Sequence, residues 1–290
     1  ISFGNTVKRA SDIAFAHGAG ITLFAADSEM ELEKIAAHAP GAQVYIRLLV
    51  GATGADWPLS RKFGCAPETA EDLLVAAEEK GLVPYGVSFH VGSQQRDPQS
   101  WDGAVAEAAG VFARLRERGV TVEMMNLGGG FPCQETAGIP GVDDYGRAIR
   151  DSLFRHFGNH QPRTMIEPGR GLVSNAGVLH CEVVLIARRP GDDLRRWVYV
   201  DVGKFGGLAE TMGEAIKYPI HCERPGAPEP VVLAGPTCDS EDVLYEHSDV
   251  RLPADLDIGD RLELRSTGAY TASYSSVGFN GFDPLRTYFV

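Results

Sequence analysis

Cysteine is scarce in this chain of 290 residues. Cys65, Cys133, Cys181, Cys222 and Cys238 are odd in number and widely spaced, which argues against a disulfide scaffold and fits a reducing cytosol. No two of them form a CxxC pair, and the eight histidines show neither HxH nor HExxH spacing, so no metal site is expected. Positive charge is also in short supply: Lys plus Arg is 27 against 39 Asp plus Glu, a net charge of −12. Such a field repels phosphate backbones, and no local basic patch offsets it, so nucleic acid is not an expected partner, whereas a cationic small molecule is attracted. No apolar run approaches the roughly 20 residues that span a bilayer, and no secretory signal is seen, so no membrane role is expected. Internal repeats and low-complexity tracts are absent. What remains is a globular composition, 44% hydrophobic and 23% charged, long enough for one large domain or two ordinary ones.

The first 170 or so residues alternate β-rich runs with helical patterns. The runs begin at Ile1, Ile21, Ala42, Val83, Val122 and Arg163. Ser28 and Glu31 form a capping-box pattern ahead of Leu32, Ile35, Ala36 and Ala39. Pro67 opens a helix striped by Ala70, Leu73, Leu74 and Ala77, and Gly81 closes it. Pro98 opens another, striped by Trp101, Val105, Ala108, Phe112 and Leu115 and stopped by Gly119, and a fourth runs from about Asp144 to Phe157. Strands alternating with helices predict a parallel sheet, with polar residues at the strands' carboxyl ends as in a βα barrel. Eight βα units take about 250 residues, so six strands leave two units unaccounted for. The opening of the chain on a strand at Ile1, not on methionine, agrees with an absent front segment. After residue 174 the runs turn β-type with Gly, Pro and Asp turns, which predicts a second, mostly antiparallel domain over residues 175–290 following a barrel domain over residues 1–174.

Several short segments combine chemistry with strand ends. FHVGS carries His90 and Ser93; GGGF carries Gly128, Gly129 and Gly130; EPGR carries Glu167 and Arg170 on a Pro-Gly turn. GPTCDS sets Cys238 beside Asp239, and GAYT puts Tyr270 in a late strand. Each alone is an ordinary turn or core residue. Together, the histidine, the glycines and the Glu–Arg pair close three successive strands, so they are expected to face one another at one barrel mouth. They supply anion donors, a flat partner and a carboxylate, a set that suits a phosphorylated planar heterocycle with a basic ring nitrogen, pyridoxal phosphate above all.

In this order FHVGS, NLGGGF, EPGR, GPTCDS, GAYT and FNGF resemble the fold-type III pyridoxal-phosphate decarboxylases, and among them the ornithine/lysine decarboxylase family. The resemblance implies an α/β protein: an alanine-racemase-like (βα)8 TIM barrel, its first two strands missing, followed by a mostly antiparallel β domain. It implies that His90 stacks on the cofactor ring and that Ser93, Gly128, Gly129, Gly130, Arg170 and Tyr270 hold the phosphate. Glu167 would bond the pyridine nitrogen, Cys238 would return a proton to the α-carbon, and Asp239 would bind the distal ammonium of a basic amino acid. The last two would serve the other subunit of a cytoplasmic homodimer that converts ornithine to putrescine in polyamine biosynthesis.

Two departures stand out. The family's cofactor-attaching lysine lies upstream of Ile1. Lys62 in SRKFG does not replace it, and Lys8, Lys34, Lys80, Lys204 and Lys217 match no cofactor position. Val202 in YVDVGKFGG stands where animal ornithine decarboxylases carry a second substrate-binding Asp, with Asp201, Glu210 and Glu214 nearby, so ornithine against lysine stays open. Diaminopimelate decarboxylase shares several motifs but ends its site with an arginine-containing segment, where this chain has FNGFDPLR. Alanine racemases place an arginine at the pyridine nitrogen. An inactive homologue resembling antizyme inhibitor would not need Cys238, Asp239, Glu167 and Arg170.

Overall fold

A computed structural model describes residues 1–58, 62–133, 138–188 and 195–290. Ser60 and Arg61 of the SRKFG run lie outside the described residues. The chain divides into two compact units, Ile1–Pro132 with Pro140–Pro168, and Cys133–Ile139 with Gly169–Val290.

In the first unit α1 (Ala10–Gly18), β1 (Leu23–Ala26), α2 (Glu29–His38), β2 (Gln43–Arg47), β3 (Ala55–Trp57), α3 (Pro67–Glu79), β4 (Val83–Ser88), β5 (Ser93–Gln95), α4 (Ser100–Glu117), β6 (Met124–Asn126), α5 (Val142–Phe157) and β7 (Arg163–Met165) follow in order. Five strands form one sheet in the order β1-β2-β4-β6-β7, every neighbour parallel, and Phe3 adds a parallel bridge to Phe24. A sheet whose spatial order follows chain order is the barrel type of winding rather than the doubly wound one, in which the order reverses. β3 and β5 make a small antiparallel ribbon.

The predicted stripes are the buried ones. Leu32 and Ile35 of α2, Leu73 and Leu74 of α3, and Trp101, Val105, Phe112 and Leu115 of α4 pack on Phe24, Val44, Ile46, Val87 and Met125 from the sheet. A leucine or phenylalanine buried in this way contributes roughly 1.5–3 kcal/mol. One expected local device is replaced by another. Ser28 makes no side-chain cap bond at α2, and Glu31 turns instead to two lysines: its carboxylate lies 2.9 Å from the buried Lys8 Nζ and 2.7 Å from Lys34 Nζ. Lys8 also donates to the Ala25 carbonyl at 2.6 Å. Burial pulls the Lys8 pKa down, and the Glu31 carboxylate opposes that pull.

The second unit opens with the short α6 (Gly169–Val173) and continues through β8 (Val178–Arg188), β9 (Arg196–Val200), β10 (Ile220–Cys222), β11 (Pro228–Ala234), β12 (Val243–Tyr245), β13 (Arg251–Pro253) and β14 (Arg261–Arg265). These seven strands make one sheet in the order β10-β14-β8-β9-β11-β12, with β13 on β11. All pairs are antiparallel except β9 with β11. The GAYT run differs from expectation. β14 stops at Arg265, and Ser266 and Tyr270 take left-handed backbone angles, φ 61° and 56°, which a ladder does not admit, so Tyr270 sits on a turn.

Candidate active site

Strand alternation decides which side chains leave the helix-covered core of the first unit. In β2, Val44 and Ile46 pack under the helices, so Tyr45 and Arg47 take the opposite face. Val87, Phe89 and Val91 belong to the same core, which turns Ser88 and His90 away from it. Met125 and Leu127 do the same for Met124 and Asn126. Met165 packs against the inner cluster of Ala25, Tyr45 and Met124, and Glu167, two residues on, shares its face. Register ties these into rows: Arg47 pairs with Ser88, Ser88 with Asn126, and Asn126 with Met165. Just beyond that row, the Glu167 N–H donates to the Gly128 carbonyl at 2.7 Å. His90, the glycine run and Glu167 thus close three adjacent strands, as expected.

His90 accepts a hydrogen bond at Nδ1 from the Gly92 N–H at 3.0 Å, which leaves Nε2 as the protonated nitrogen of a neutral ring. Burial, with the nearby Arg47 charge, brings its pKa down to about 4. Glu167 Oε1 accepts from Asn126 Nδ2 at 2.9 Å, and Asn126 Oδ1 accepts from the Gly128 N–H at 2.9 Å. One amide therefore orients both the carboxylate and the glycine loop. Burial lowers the Arg47 pKa, opposed by the carboxylates of Glu167 and Asp27. The loop glycines are needed for close packing: a Cβ on Gly129 would lie 2.5 Å from the Glu167 carbonyl and 3.1 Å from His90 Nε2, and one on Gly130 would lie 2.3 Å from the Gly92 carbonyl. Ser93 lies in β5, opposite Trp57. Arg47 and Asn126 escaped notice in the sequence. Their signal was parity: a cation and an amide on the polar side of the apolar runs AQVYIRLLV and VEMMNLGGG.

The EPGR run is shared between the units. Glu167 stays with the sheet, while Gly169 and Arg170 open α6 of the second unit. Arg170 is not one half of an exposed pair with Glu167. It is buried, ion-paired to Glu210 and stacked 5.3 Å from the Tyr270 ring, and its Nε has no hydrogen-bond partner among the described residues. A Cβ on Gly169 would meet the Tyr270 hydroxyl at 2.5 Å, so this glycine admits the tyrosine. Burial raises the Glu210 pKa and Arg170 opposes the rise.

Cys238 and Asp239 follow β11 on a turn. Cys238 is exposed and Asp239 half-buried, with Asp239 Oδ1 accepting the Glu241 N–H at 2.9 Å. The turn is organised by Asp242, a buried carboxylate invisible to motif reading. It accepts from the Lys204 N–H at 2.8 Å, the Thr237 N–H at 3.1 Å and the Thr237 hydroxyl at 2.7 Å. Any Cβ on Gly203 or Gly235 would fall within 2.5 Å of it. Of the acids near Val202, Glu210 is committed to Arg170. Glu214 is committed to the backbone N–H groups of Glu246, His247 and Ser248, at 2.6, 2.7 and 2.7 Å, and against the upward pull of burial those bonds and the Ser248 hydroxyl hold its carboxyl at about 2. Asp201 accepts the Glu182 N–H at 2.8 Å, and Val202 is buried.

Comparison with known proteins converges on one class. The family model for the pyridoxal-binding domain of pyridoxal-dependent decarboxylases matches residues 1–174. The lysine/ornithine decarboxylase of Selenomonas ruminantium is 34% identical over 282 residues, 97% of this chain and 69% of its own length. A crystal structure of the lysine decarboxylase from that organism, in complex with PLP and cadaverine, superposes with a TM-score of 0.83 at 32% identity, covering 98% of this chain and 70% of that one. The arginine decarboxylase of Paramecium bursaria Chlorella virus, bound to agmatine, gives 0.87 at 28% identity, covering 100% and 77%. This chain thus spans roughly two thirds to three quarters of these relatives. It belongs to the pyridoxal-dependent decarboxylases, and its cofactor is pyridoxal phosphate.

Proposed function

We propose that the protein decarboxylates a basic amino acid, ornithine or lysine, releasing the corresponding diamine, with ornithine to putrescine in polyamine biosynthesis as the leading reaction. The observation that carries this reading is the presence of a neutral His90 after β4 and an Asn126-oriented Glu167 after β7, on either side of β6. The residues fit pyridoxal phosphate. An unprotonated imidazole can lie against a cationic ring without repulsion, a carboxylate can hold a ring nitrogen protonated, and the unpartnered Nε of the buried Arg170 is a donor in want of an acceptor. When bound, the cofactor supplies a protonated ring that accepts the electrons released as CO₂ leaves.

The chain's own groups supply the rest of this account. His90 stacks on the ring and Glu167 holds the proton on its nitrogen. Ser93, Gly128, Gly129, Gly130, Arg170 and Tyr270 hold the phosphate. Asp239 binds the distal ammonium, and the Cys238 thiol gives its proton to the carbon that has lost CO₂. The active unit in this account is a homodimer in which Cys238 and Asp239 serve the other subunit. The relatives named for lysine/ornithine and arginine decarboxylation support the substrate class. That Glu210 and Glu214 already hold other partners supports the choice of Asp239 for the ammonium.

CO₂ release from ornithine, lysine and arginine, measured on the full-length protein with its cofactor-attaching lysine, tests the reading. Ornithine and lysine should turn over, and Asp239→Ala should raise KM for both roughly ten- to a hundredfold, the loss of one charge-assisted bond. Unchanged KM values would move the ammonium site, and no CO₂ from any of the three would end the proposal.

A further inference from the structure

Asn280 lies in the FNGF run and is taken up by none of the roles above. Its Oδ1 is 2.9 Å from the backbone nitrogen of Cys238 and 3.0 Å from Cys238 Sγ. The backbone N–H can only donate, so the atom facing it is the amide oxygen and not the amide nitrogen. The sulfur, in contact with that same oxygen, must then also be the donor, because a thiolate there would face a carbonyl lone pair. The thiol thus donates its S–H to the amide oxygen.

The loop is built to deliver this oxygen. Asn280 takes left-handed angles, φ 52° and ψ 21°, between Gly278 at φ 75° and Gly281 at φ 82°. Asparagine is among the few residues other than glycine that adopt this region readily. Phe279 anchors the loop against Phe205, with ring centroids 4.5 Å apart, and the Ser276 N–H donates to the Phe205 carbonyl at 2.8 Å.

We infer that Asn280 is a positioning residue for the Cys238 proton donor: its amide oxygen accepts the thiol's hydrogen and fixes the sulfur. This rests on the role proposed for Cys238. Rotation about Cβ–Sγ swings the hydrogen from the amide oxygen toward the substrate without moving the sulfur. The S–H bond breaks, a C–H bond forms with the electron pair left by CO₂, and the resulting thiolate recovers a proton from water.

The test uses two variants. Asn280→Gly keeps the left-handed backbone and removes the oxygen; Asn280→Asp keeps an acceptor oxygen in the same place. The first readout is the rate of Cys238 alkylation by iodoacetamide at neutral pH, followed on the Cys238 peptide by mass spectrometry, with no cofactor or turnover required. The second is the split between kcat and KM for ornithine. Asn280→Gly should raise alkylation roughly fivefold, the effect of one lost hydrogen bond, and should lower kcat with KM little changed. Asn280→Asp should alkylate no faster than the parent. Parent-like alkylation in Asn280→Gly, or equal acceleration in both variants, overturns the inference. A Cys238→Ala variant with full turnover would remove the proton-donor role while leaving the alkylation result to judge the Asn280 contact on its own.

Discussion

The two units hold their functional side chains by different means. In the first, the candidate residues are a consequence of strand geometry: once Val44, Val87 and Met125 face the helices, Arg47, His90 and Asn126 must face away. In the second, the candidates sit on turns, and single buried or strained polar residues hold them there. Asp242 gathers the Thr237–Asp239 turn, Asn280 caps Cys238 from a left-handed loop, and Tyr270 is itself left-handed. A sheet places many residues at once, whereas a turn depends on one or two irreplaceable contacts. Damage should therefore be graded in the first unit and abrupt in the second.

The sharpest way to break this contrast is Asp242→Ala. It leaves three half-buried donors without their acceptor, each worth about 1 kcal/mol at the lower end of the usual penalty, so unfolding in urea should show a loss of about 3 kcal/mol. A loss under 1 kcal/mol would show that the turn does not depend on it. Glu167→Gln should next lower turnover by about a hundredfold, within the range of acid–base contributions, with cofactor retention far less affected and folding intact. Near-normal turnover would dissociate Glu167 from the chemistry.

The smallest effect is a pH dependence. His90 titrates at about 4 in the fold against its ordinary 6.5. Between those values the unfolded chain takes up a proton that the fold refuses, so stability is full above 6.5 and falls as pH drops toward 4. Glu214, at about 2 against 4.5, is displaced in the same direction and acts further down the scale: its stabilisation is present above 4.5 and is lost as pH falls toward 2. His90→Gln should remove the upper part of the acid loss and leave the lower, as read from urea midpoints across the acid range.

How much was legible follows the same division. Five of the six expected strands, the stripes of α3 and α4 and the row of His90, glycines and Glu167 could be read from periodicity and from glycines at strand ends, whereas the run at Ile1 contributes only the Phe3 bridge. Arg47 and Asn126 were readable in principle, since parity alone turns them inward. Asp242 was not, because its role comes from two glycines, Gly203 and Gly235, far from each other in sequence, closing on one carboxylate. The fate of Arg170 was hidden for a similar reason: its partner Glu210 is 40 residues away and belongs to no motif. Ser28 and Glu31 show the converse error, a local pattern overridden by a tertiary partner, Lys8.

The role proposed for Glu167 is to keep a proton on the ring nitrogen of the cofactor. The most direct test is nitrogen-15 NMR of the protein carrying pyridoxal phosphate labelled at that nitrogen. The account predicts the chemical shift of a protonated pyridinium in the parent at neutral pH and an unprotonated ring nitrogen in Glu167→Gln. The same protonation state in both proteins would contradict it.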